Sequence, residues 1–70
     1  MTLEQEYLAR SGDDKLGAAV ALALDLMRDD PANFKRGYTL ENAAWAAADM
    51  FGLDRHAIQT AVIRTQAEEE

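Results

Sequence analysis

Residues 44–63 read Ala-Trp-Ala-Ala-Ala-Asp-Met-Phe-Gly-Leu-Asp-Arg-His-Ala-Ile-Gln-Thr-Ala-Val-Ile. Apolar residues recur at helical spacing on both sides of Gly52, and glycine readily takes the backbone of a sharp turn. The stretch therefore predicts a short helix, a turn and a second helix. Ala47, Phe51, Leu53, Ile58 and Ala61 fall where such a pair buries its side chains. Ala48, one turn before the glycine, is small enough for the two helices to cross closely.

On those residues the chain resembles the helix-turn-helix superfamily of DNA-binding domains. The resemblance covers 20 of the 70 residues. It implies that base-facing positions lie at the start and along the outer face of the second helix. In this chain they are Asp54, Arg55, His56, Gln59, Thr60 and Ile63. Arginine pairs with guanine edges, glutamine with adenine, and threonine or isoleucine touches the thymine methyl group. Lys35, Arg36 and Arg64 are the candidates for phosphate contacts. Two residues depart from the family pattern. Asp54 would face an anionic groove unless its carboxylate is engaged in capping, and Trp45 stands where a polar residue is usual.

Around this pair, Thr39 caps a third main helix from Leu40 to Phe51, with Leu40, Ala44, Ala47, Ala48 and Phe51 on one face. Trp45 lies off that stripe, one turn from both Glu41 and Asp49. It is either an edge tryptophan lying over the core or an exposed anchor for a protein partner. Leu53 and Ile58 stand as a hydrophobic staple around the cap Asp54. The last helix, Arg55 to about Gln66, is expected to bury Ala57, Ile58, Ala61 and Val62. The acidic tail, Glu68, Glu69 and Glu70, sits at the negative end of that helix and is expected to fray.

Upstream, Thr2 and Gln5 form a capping box and Gly12 a stop, which places a first helix over Leu3 to Arg10. Leu3 and Tyr7 share a face. The helix is expected to be an arm that packs on the core, or, as a sharper alternative, an arm exchanged between two copies. Asp13 is expected to cap a second helix running to about Asp29. Leu16, Ala19, Val20, Ala23, Leu24 and Met27 form its stripe, widened by Leu22 and Leu26. Only Asp14, Ala18, Ala21, Asp25 and Arg28 make a narrow polar or small line, the pattern of a helix buried among several neighbours. Asp30-Pro31 predicts one turn of helix over Ala32 to Arg36, ended by Gly37, with Phe34 plugging the core. Asp29, Asp30 and Asn33 lack the central glycine and final glutamate of a calcium loop.

These elements make one all-α domain over residues 1–67, followed by the tail at 68–70. The expected architecture is a compact bundle of three to four main helices with a helix-turn-helix-like C-terminal pair. A chain of 70 residues buries about 60% of its unfolded surface. Alanine supplies much of the apolar fraction, so the core is thin and a homodimer that shares it is one expected assembly. There is no cysteine, one histidine (His56) and one serine (Ser11). That excludes disulfides, thiolate chemistry and a two-histidine zinc site within one chain, and no glycine loop cradles phosphates. No enzymatic activity, cofactor or metal is expected. Met1 to Arg10 carries acids where a secretory leader needs basic and apolar residues. The longest apolar run, Ala18 to Leu24, is far short of the ~20 residues that span a bilayer. A soluble, cytoplasmic chain with no membrane partner is expected.

The charge is acidic and uneven: 7 Lys plus Arg against 13 Asp plus Glu, net −6. Residues 1–30 hold three bases and seven acids, residues 31–67 four bases and three acids, and the last three residues add three acids. A DNA-binding domain usually shows a stronger basic footprint. The competing expectation is an acidic protein-binding inhibitor. In size and charge the chain resembles phage-encoded inhibitors of host defence such as anti-CRISPR proteins. Glu4, Glu6, Asp13, Asp14, Asp25, Asp29 and Asp30 would imitate phosphates and occupy a basic surface, with Trp45 and Ile63 as apolar anchors. The expected partner is thus DNA or a basic nucleic-acid-handling protein. A purely structural assembly module is a third class.

Overall fold

The computed structural model describes residues 2–68; of the tail expected to fray, Glu69 and Glu70 lie outside the described residues, whereas Glu68 is helical, two residues past the expected helix end near Gln66. Within them the chain forms four α-helices: α1 (Leu3–Arg10), α2 (Lys15–Met27), α3 (Leu40–Phe51) and α4 (Arg55–Glu68), with a 3-10 turn at Pro31–Asn33 between α2 and α3. The architecture is an all-α bundle. α2 packs against each of the other helices, most extensively against α3, and α4 rests on both.

Local chemistry sets most of the helix ends. Thr2 and Gln5 close a reciprocal capping box on α1, and the Thr39 hydroxyl accepts from the Asn42 N–H at the start of α3. Gly52 ends α3 with φ 66°, and the Leu53 N–H reaches back to the Ala48 carbonyl at 3.0 Å. The expected cap of α2 moves by one residue. Asp14, not Asp13, accepts from the Leu16 N–H, because Asp13 (φ 67°) is drawn into the turn that closes α1 and donates its N–H to Leu8. α2 ends at Met27 rather than at Asp29.

Among the described residues thirteen form the buried core, seven of them alanines: Ala18, Ala19, Ala23, Ala43, Ala44, Ala47 and Ala48. Ile58 and Val62 of α4 are the largest side chains fully enclosed. On α2 the buried stripe is rotated from the expected one. Ala18, placed on the small line, is buried, whereas Leu16 is exposed. A helix apolar almost all round has no single preferred face, and the close approach of α3 selects the alanine side. α1 attaches through Tyr7, whose hydroxyl donates to the Asp25 carboxylate of α2. The Arg10 guanidinium lies 5.5 Å from the Tyr7 ring centre. Burial, and then the bond to Asp25, raises the Tyr7 pKa above its ordinary 10.0.

The connection from α2 to α3 is laid back onto the end of α2. The Tyr38 N–H donates to the Leu26 carbonyl at 2.7 Å, and the Gly37 N–H to the Asp29 carboxylate at 2.7 Å. Gly37 passes so close to α2 that a Cβ there would stand 2.0 Å from the Met27 carbonyl oxygen. Asp30 and Lys35 exchange two backbone hydrogen bonds at 2.9 and 3.0 Å, and Asn33 bonds the Asp30 carboxylate. This tight loop overturns two expectations. The helical turn spans Pro31–Asn33 rather than Ala32 to Arg36. Phe34 does not plug the core; it caps the turn in a left-handed conformation (φ 54°) and is 97% exposed.

Candidate functional site

α4 is attached by a narrow ridge. Of its fourteen residues only Ile58 and Val62, one turn apart, are buried. Ala61 and Gln59 are half-buried, and Ala57, expected inside, is exposed because it falls on the side away from α2 and α3. Thr65 is half-buried as well, and the remaining residues of the helix are exposed. Arg55, His56, Thr60, Ile63 and Arg64 are all exposed, Ile63 by 54%. With Gln59 they occupy positions i, i+1, i+4, i+5, i+8 and i+9, two adjacent rows on one helix.

Two hydrogen bonds shape what this face offers. The Asp54 carboxylate accepts from the His56 N–H at 3.3 Å, so it caps α4 as expected. The Thr60 hydroxyl donates to the His56 carbonyl at 2.9 Å, so its donor is used within the helix and its methyl group remains available for contact. From Arg55 to Ala67 the helix carries no acidic residue.

Lys35 and Arg36 are exposed but lie elsewhere. They sit in the connection that precedes α3, whereas Arg55 and His56 follow it. The twelve residues of α3 put about 18 Å between its two ends. Gln66 shares a shallow hollow with Leu24, Met27 and Arg28, so α4 finishes beside the end of α2 from which that connection leaves. Of the α4 cations, Arg64 therefore stands toward the end where Lys35 and Arg36 lie.

The acidic set is largely tied into the fold. Asp14, Asp25, Asp29 and Asp30 each accept a hydrogen bond from the chain itself. Asp25 also faces Arg28 at 3.9 Å, the one ion pair among the described residues. Glu6 and Asp13 are exposed, and Glu4 is half-buried.

A second feature escaped sequence reasoning in part. Trp45 is 64% exposed and forms a wall of an open groove of about 650 Å³ with Tyr38, Ala46 and Met50, while Asn42 and Asp49 supply polar edges. Trp45 lies off the α3 core stripe as its register predicts. Tyr38 and Met50 carried no such signal, because an isolated aromatic before a cap and a methionine in a helix both read as packing residues. Among the described residues no group of three or more His, Asp or Glu is placed to hold a metal, and no helix is long and apolar enough to cross a membrane. Comparison with protein-family models, curated proteins and solved structures finds no match to this chain.

Proposed function

We propose that this chain is a small non-enzymatic regulator that binds duplex DNA through the outer face of α4. One observation carries the reading: in a chain of net charge −6, residues 55–67 hold Arg55, His56 and Arg64 and no acid, on a helix whose outer face is exposed. The capping bond of Asp54 supports it, since that carboxylate is held at the helix start rather than facing a ligand alone. The glycine turn and the packing of α4 on α3, with Ala47, Ala48, Phe51 and Ile58 all buried, support it as well. In this reading Arg55 pairs with guanine, Gln59 with adenine, and Ile63 packs on a thymine methyl group. Arg64 neutralises a phosphate, with Lys35 and Arg36 available only where the duplex extends past that end of the helix.

So few cations set a shallow salt dependence. Two to four phosphate contacts give a slope of log K against log salt of about −2 to −4. The test is a titration of mixed-sequence duplex DNA at about 50 mM and about 200 mM salt. Binding with that slope, made shallower by about one in Arg64→Ala, is the expected result. No binding at the lower salt overturns the reading.

A second reading, the acidic protein-binding inhibitor, is favoured by the overall charge and by the exposure of Trp45. Its probe is Glu4→Lys with Glu6→Lys, because reversing Asp29 or Asp30 would also break bonds that hold the loop. Retained capture of a basic partner by that variant rejects the acidic-face account.

A further inference from the structure

We infer that two copies of this chain pair reciprocally, the Phe34 of each entering the Trp45 groove of the other. Among the described residues nothing covers Phe34, which is 97% exposed, and Tyr38, a lining residue of the groove, follows it by only four positions in the chain. Its backbone is held outward in a left-handed conformation that bulky residues seldom adopt, and the paired backbone bonds of Asp30 and Lys35 keep it there. An aromatic side chain maintained in such a position by the surrounding loop is a contact residue in search of a pocket.

The pocket of matching chemistry is on the same chain. The groove walls are Trp45, Tyr38 and Met50, which suit a phenyl ring. Charge matches too. Lys35 and Arg36 follow Phe34, whereas Asp49 lines the groove and Glu41 precedes Trp45 by one helical turn. A basic aromatic knob and an acid-edged aromatic groove are complementary in shape class and in sign. Phe34 precedes Gly37, a lining residue of the groove, by three positions in the chain. A two-fold relation between the copies would make both contacts at once and close the assembly at a dimer instead of a filament.

The chain contains a single tryptophan, so its emission reports on the groove directly. The experiment is sedimentation equilibrium and tryptophan emission of the full 70-residue chain from about 1 µM to about 1 mM, without DNA. The mass is expected to double as the emission moves to shorter wavelength. Phe34→Ser, which removes no packing within the chain, is expected to weaken association more than about tenfold. Mixing then tests reciprocity. Trp45→Ala protein keeps its Phe34 but has no tryptophan. Added to Phe34→Ser protein, it is expected to shift the emission of the Trp45 that remains, whereas a variant carrying both substitutions leaves it unmoved. A wild-type chain that stays monomeric, a dimer that Phe34→Ser leaves intact, or a mixture without a shift overturns the proposal. Since no DNA is present, none of these outcomes bears on the α4 reading, and loss of DNA binding alone leaves the dimer standing.

Discussion

A methyl group at Gly37 would fall 2.0 Å from the Met27 carbonyl oxygen and 2.3 Å from its carbon, both backbone atoms that cannot swing aside. Gly37→Ala is therefore expected to cost more than about 2 kcal/mol in urea unfolding, near the upper range for overpacking. Gly52→Ala meets open space and suffers only from its positive φ, so about 1 kcal/mol is expected there. Equal losses at the two sites would contradict this account. Nothing in the sequence separates these two glycines, since each simply precedes the start of a helix by a few residues. The difference arises because one backbone crosses another, a long-range event. Tyr7 offers a second test. Its pKa is raised in the folded chain, so the associated stability is full below the ordinary value of 10.0 and is lost as pH climbs through the raised one. Thermal melts from about pH 8 to about pH 12 should show an alkaline decline that Tyr7→Phe flattens, at a cost near 1 kcal/mol at neutral pH.

Elements were legible where their signals are local. The capping box of α1, the Thr39 cap, the Gly52 turn and the Asp54 cap each depend on residues within three or four positions of one another, and each is present as read. Features decided by neighbours were not legible. The face of α2, the exposure of Ala57 and the outward Phe34 depend on which helix packs where. An aromatic residue such as Phe34 ordinarily points to the core, but the six-residue loop from Asp30 to Lys35, closed by two backbone bonds, leaves it outward. Of the candidate site, the α4 rows were readable from register alone, whereas the separation of Lys35 and Arg36 from Arg55 required the fold. The narrow attachment of α4 makes its packing and its proposed DNA contacts separable by mutation. Ile58→Ala removes half of the fully buried ridge and should cost about 2–5 kcal/mol in a thermal or urea melt. Arg55→Ala and Gln59→Ala should leave the melting temperature within a degree or two, while each lowers specific DNA affinity by about 1–3 kcal/mol in a titration. A base-facing role fails if those two variants bind DNA like the parent.

At the scale of the whole molecule, the charge is partitioned by helix. Seven of the thirteen acids lie in residues 1–30, from α1 to the start of the connection after α2, and α4 up to Ala67 has none, so the net −6 overstates the repulsion at the α4 face. The core, in turn, is built largely from methyl groups. Seven of the thirteen buried residues are alanines, whose side chains have no rotamers to freeze. Locking α2 to α3 thus costs little side-chain entropy, and it also buries little hydrocarbon per residue. Unfolding should then release an unusually small heat-capacity increment, below the ~12 cal/mol/K per residue of ordinary domains, as scanning calorimetry can measure. With so little curvature in its free energy, this bundle should hold a modest stability almost level over tens of degrees, with cold denaturation displaced far below freezing and heat denaturation displaced upward.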